Sequence, residues 1–157
     1  MFFALTSARP TSIGRFDQDA AVWILDPVEW NRKSLADMSY DGGILSTDDA
    51  AVGSFCDLGE HRTMQKDPVA LYGVHNSQRI VAQRGVFTVF GKGHAPMEDI
   101  CVHPDYGGDV LVKVVVPKDS IATLRQELLG YGVTESVVYP DLDGLAKEIK
   151  RQFGYEH

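Results

Sequence analysis

A chain of 157 residues can form one domain with a substantial buried core, and a composition 44% hydrophobic and 24% charged excludes wholesale disorder. The formal net charge of −7 disfavours the diffuse basic field behind sequence-independent nucleic-acid binding, and only Arg79, Arg84 and Lys92 suggest a local basic cluster. Two cysteines, Cys56 and Cys101, are too few for a disulfide scaffold and point to a reduced, cytoplasmic protein, and no apolar stretch is long enough to span a membrane.

The chain opens on Met1-Phe-Phe-Ala-Leu5, too short for a signal-peptide core yet more apolar than a terminus usually is. Such a segment needs a surface to cover it, either its own core or another polypeptide. Ala20-Ala-Val-Trp-Ile-Leu25 is a compact apolar run and reads as a buried strand. Asp26-Pro27 ends it, since proline cannot continue a ladder and biases the residue before it away from helix. Val28 to Ala36 follows as a short helix carrying Trp30 and Leu35. Asp41-Gly-Gly and Ser46-Thr-Asp-Asp mark loops in the stretch from Ser39 to Pro68, with a short helix around Asp49 to Phe55.

Val69 to Val74 and Gly85 to Phe90 read as the second and third strands, joined through a bend or helical turn at His75 to Gln83. Gly91-Lys-Gly-His-Ala-Pro96 and Pro104-Asp-Tyr-Gly-Gly108 are turns. Val110 to Val116 makes a fourth strand. Asp119 or Ser120 then caps a helix with Ile121, Leu124 and Leu128 on one face and Gly130 as its stop. Ser136 to Tyr139 reads as a short strand. After Pro140, Asp141 caps a last helix whose apolar stripe is Leu142, Leu145, Ala146 and Ile149. Lys147, Lys150 and Arg151 lie toward its carboxyl end, where the macrodipole favours them, and Gly154 closes it. The fold class is α+β: a mixed, mostly antiparallel sheet with a few flanking helices, in one domain over 1–157.

Most chemistry-bearing patterns dissolve under their spacing rules. Cys56 and His61 with Cys101 and His103 are a permissible zinc set, but one residue between Cys101 and His103 does not suit a ribbon or finger, so no metal site is assigned. Asp141-Leu-Asp-Gly144 lacks the third oxygen ligand and closing glutamate of a calcium loop, and capping accounts for Asp141. Gly91-Lys-Gly93 and Gly107-Gly108 lack phosphate-loop spacing, and no nucleophile elbow accompanies the serines.

The polar knot before the third strand is different. Gln83 at a strand entry can hydrogen-bond a ribose hydroxyl or an amide through both its donor and its acceptor. Arg79 or Arg84 can fork onto a phosphate, and His75 and Asn76 stand just upstream to line the same pocket. The plainer alternative is that the arginines are solvated, Gln83 satisfies a loop backbone, and His75-Asn76 is a turn.

Asn76-Ser-Gln-Arg-Ile-Val-Ala-Gln-Arg-Gly-Val-Phe-Thr88 resembles the most specific internal block of FRG domains, bacterial and phage modules named for a Phe/Tyr-Arg-Gly motif. Ala20 to Pro27 followed by Asn31 resembles the family's strand ending in Leu-Asp-Pro. Val114 to Pro117 and Tyr139 to Ala146 look like its closing strand and last helix. The resemblance implies a setting of mobile elements and phage defence, with toxin-like roles, and a layout similar to ADP-ribosyltransferases. By that analogy NAD is the substrate, Gln83 takes the catalytic position, and Arg79, Arg84, His75 and Asn76 surround the dinucleotide. The family's Arg-Gly strand would precede residue 1. The chain therefore reads as an N-terminally truncated or split domain, inactive without that part. The implied partner is an upstream gene product or a second copy, met through the apolar N-terminus. The alternative is a non-catalytic binding or regulatory protein of a mobile element or phage.

Overall fold

The computed structural model describes residues 1–8, 10–11, 15–55, 67–73, 80–81, 85–107 and 109–155. It is α+β, and its strands pair as two two-stranded antiparallel ladders. The helices are α1 (Phe2–Ser7), α2 (Pro27–Ser34), α3 (Met97–Cys101), α4 (Ile121–Gly130), α5 (Glu135–Val138) and α6 (Leu142–Gln152). The strands are β1 (Ala20–Leu25), β2 (Val69–Tyr72), β3 (Val86–Val89) and β4 (Leu111–Val116). Two compact units divide the chain. One holds Met1–Val22, His75–Arg84 and Lys113–His157, the other Trp23–Val74 and Gly85–Val112. The division falls within both β1 and β4, which pair with each other.

In the Trp23–Val112 unit, α2 forms where the sequence asks for it. The Asp26 carboxylate accepts from the Val28 and Glu29 amides, both at 3.0 Å, Pro27 occupies the first turn, and Arg32 and Lys33 occupy the last. One side of the helix is fixed by Trp30, whose indole N–H donates to the Pro68 carbonyl at 2.7 Å and whose ring lies 4.7 Å from that of Tyr106. β2 and β3 pair in the register Val69↔Val89 to Tyr72↔Val86. On the far side of β2, Leu45 adds a parallel bridge, with its N–H donating to Ala70 and its carbonyl accepting from Tyr72. Leu35, Leu45, Ala51, Phe55 and Val69 form one apolar cluster here, and Trp30, Tyr106 and Val110 a second.

Asn31 is the one fully buried polar side chain among the described residues. Its amide donates to Gly43 (3.0 Å) and Ala70 (2.8 Å), and its oxygen accepts from the Ala70 N–H (2.7 Å). A side chain thus does for β2 what a neighbouring strand would do, pairing with both backbone polar groups of the buried residue Ala70.

In the unit that contains both termini, Leu5, Ala20, Val116 and Ile121 make the core. The apolar opening segment accordingly forms α1 and seats Leu5 at zero exposure, while Phe3 and Met1 stay half exposed. Arg125 holds α1 from α4: its guanidinium donates to the carbonyls of Leu5 and Ala8 and lies 4.9 Å from the centre of the Phe16 ring. These are the carbonyls left over at a helix C-terminus, where a cation is favoured.

Several local expectations are corrected. β1 is a strand but not a buried one: Ala20 is enclosed, whereas Trp23 and Ile24 are 45% and 55% exposed. A two-stranded ribbon lacks the second layer that would cover both faces. α4 does end at Gly130, with Tyr131 as its C-cap, but the left-handed residue that closes it is Gly132 (φ 79°): Val133 N–H bonds back to Leu128 and Gly132 N–H to Leu129, a Schellman closure. Ser120 occupies the N-cap position of α4 as expected, but Lys118–Ser120 form a 3₁₀ turn that leads into the helix and the Ser120 side chain makes no capping bond. Residues 136–139 do not form a strand: Glu135–Val138 is helical, held from α6 by contacts described below. The β character of Val137-Val138 is overridden by those tertiary partners.

Candidate functional site

Gln83, Arg79, Arg84, His75 and Asn76 all lie outside the described residues, as do Cys56 and His61. On either side of that block stand β2, ending at Tyr72, and β3, beginning at Val86, with Ile80 and Val81 helical between them. Cys101 and His103 are described, and they do separate work. The Cys101 thiol faces the Gly107 and Leu111 carbonyls at 4.0 and 3.9 Å, whereas His103 sits at the surface with Nδ1 3.0 Å from the Asp105 carboxylate.

The most developed polar constellation among the described residues joins α5 to α6. Asp141, in extended conformation, caps α6 by accepting from the Gly144 N–H at 2.8 Å. Gly144 is buried where the two helices meet, and a Cβ there would overlap the Tyr139 carbonyl oxygen. Four residues on, Glu148 accepts from the Ser136 N–H at 3.2 Å. Hydroxyl hydrogen bonds from Ser136 and Thr134 hold its carboxyl below the usual carboxylate range. One turn further, the Arg151 Nε–H is shared between both oxygens of Glu135, each at 3.1 Å, in a pair roughly three-quarters buried. Gly144, Glu148 and Arg151 follow i, i+4, i+7 spacing and so share one side of the helix.

The apolar stripe therefore points the other way. Leu142 is 84% exposed, Leu145 46%, Ile149 45% and Phe153 69%, and Ala146 is exposed between them. α6 is an amphipathic helix seated on its polar side. It ends at Gly154 (φ 71°), with Tyr155 N–H bonded to Lys150 and Gly154 N–H to Arg151, so the stripe is held in a finished helix.

Beside it, a cleft of about 330 Å³ is lined by Phe2, Leu5, Leu128 and Val133, with Arg125 and Arg151 at its polar edge. The two guanidiniums are already engaged, one on the carbonyls of Leu5 and Ala8 and the other on Glu135. Thr6 and Glu135 also line the cleft, and both are engaged within the chain, the Thr6 hydroxyl donating to the Phe2 carbonyl and the Glu135 carboxylate accepting from Arg151.

Residue types alone did not disclose four of these features: Asn31 as a strut, Arg125 as a helix cap, Gly144 as a crossing point, and the outward direction of the stripe. Gly144 carried the one available signal, a glycine in the first turn of a helix, where propensity alone would favour alanine. Comparison with protein-family models, curated proteins and solved structures finds no match to this chain.

Proposed function

We propose that this polypeptide is a non-catalytic binding or regulatory module that acts through a second polypeptide, in the mobile-element or defence setting that its resemblance to FRG domains implies. The observation that carries this reading is the solvent-facing stripe of α6, a contiguous apolar surface on a rigid, capped helix. An exposed stripe of this length is costly unless something covers it. The test combines two measurements on the intact chain, sedimentation velocity across concentration and nicotinamide release from NAD. The expected result is association without turnover that depends on Gln83. A monodisperse monomer whose turnover disappears in Gln83→Ala would overturn the reading.

A second reading is an ADP-ribosyltransferase-like enzyme with NAD as substrate, Gln83 as catalytic residue, and Arg79, Arg84, His75 and Asn76 around the dinucleotide. In its favour, the strand expected directly after Gln83 and Arg84 in the sequence does form, as β3 at Val86–Val89. It expects Gln83→Ala to lose nearly all nicotinamide release when the chain is joined to an arginine-glycine segment of the family type. Unchanged turnover in that variant would exclude Gln83 from the chemistry.

A further inference from the structure

We infer that the outward face of α6 pairs with the same face of a second copy, the two helices running antiparallel about a two-fold axis. The inference rests on the binding-module reading and names its surface and occupant. Leu142, Ala146, Ile149 and Phe153 follow alternating spacings of four, three and four, the core pattern of a two-heptad helix pair, and all are exposed. Antiparallel pairing stacks Leu142 on Phe153 of the other copy and Ala146 on Ile149 of the other copy.

Charge selects the direction. Asp143 in the first turn and Lys150 in the last flank the stripe on the same side. In an antiparallel pair each Asp143 stands beside Lys150 of the other copy, and both macrodipoles oppose favourably. Asp143 is already bonded to Lys147 of its own chain at 2.6 Å, and the opposing lysine adds a second cation to that carboxylate. Parallel pairing would set Leu145 against Lys150 and bring no opposite charge from the other copy to either Asp143 or Lys150.

The test uses the full chain. Sedimentation equilibrium is expected to show a monomer–dimer equilibrium that Ile149→Lys weakens at least tenfold without lowering the helical signal in circular dichroism. Orientation is read by mixing two single variants, Ala146→Cys and Ile149→Cys, under mild oxidation and mapping the disulfide peptides. A mixed 146–149 bridge that exceeds both self-bridges is the expected product. Predominant 146–146 and 149–149 bridges would overturn the antiparallel arrangement. Dimers that persist in Ile149→Lys would overturn the choice of face. A monomer at every concentration would overturn the second copy as occupant. That last outcome leaves a different polypeptide as the partner of the binding module, and the module reading itself falls only when the monomer also shows NAD turnover that disappears in Gln83→Ala.

Discussion

Replacing Asn31 by leucine isolates the strut that holds β2. The variant keeps the side-chain volume roughly constant and removes three hydrogen bonds, to Gly43 and to both polar groups of Ala70. Each such bond contributes about 1 kcal/mol net, and a buried donor or acceptor left without a partner costs about 1–3 kcal/mol. The Ala70 N–H is the group with no alternative, because its N–H points at Asn31 rather than at β3. Added apolar burial offsets part of the loss, which leaves a destabilisation of about 3 kcal/mol. At a urea slope of about 2 kcal/mol/M the unfolding midpoint falls by roughly 1.5 M. Urea titration followed by circular dichroism reads this directly. A midpoint within about 0.3 M of the parent would refute the strut.

Three further outcomes are expected. Gly144→Ala forces a methyl group onto the Tyr139 carbonyl, and its overpacking cost of about 1–3 kcal/mol exceeds the alanine helix gain of about 1 kcal/mol; the melting temperature should fall, and a rise would show that α5 and α6 are not in contact there. Burial raises the Tyr106 phenol from 10.0 to about 12, with the nearby Asp67 carboxylate adding to the shift. Its folded-state value lies above the unfolded one, so stability is undiminished below pH 10 and falls by about 2–3 kcal/mol as pH rises to 12. Tyr106→Phe should flatten that alkaline slope, and an equal slope in both proteins would count against the buried phenol. The depressed Glu148 carboxyl works in the opposite window: its contribution is complete above the ordinary value of 4.5 and is lost as pH falls through the lower folded-state value. The stability gap between the parent and Glu148→Gln should therefore narrow in acid, and a gap independent of pH would remove Glu148 from the α5–α6 junction.

Features set by neighbouring residues were legible in the sequence. Asp26-Pro27 ends β1 and starts α2, Asp141 caps α6, and Gly154 closes it, because each acts within one turn of chain. What failed depends on distant partners. Val137-Val138 read as strand, yet Glu135 and Ser136 are held by Arg151 and Glu148, residues 16 and 12 positions away. Gly130 is the last helical residue of α4, as its position suggested, but the left-handed closure falls on Gly132. The stripe of α6 was correctly placed on one face, but periodicity cannot say which face meets the core. Here the buried ion pair and the small Gly144 decide it. The candidate site at Gln83 was read from its polar residue types ahead of a strand and given a role by resemblance, and its residues lie outside the described ones.

The account stands most directly on a paired stability measurement, Ile149→Lys against Arg151→Ala, made at low protein concentration. With α6 seated on its polar side, Ile149→Lys should leave the unfolding free energy within about 0.5 kcal/mol of the parent, as surface substitutions do. Arg151→Ala should lower it by about 1–3 kcal/mol by stranding the largely buried Glu135. The reverse order, with the lysine variant the more damaged, would mean that the leucine and isoleucine stripe is the packed face after all.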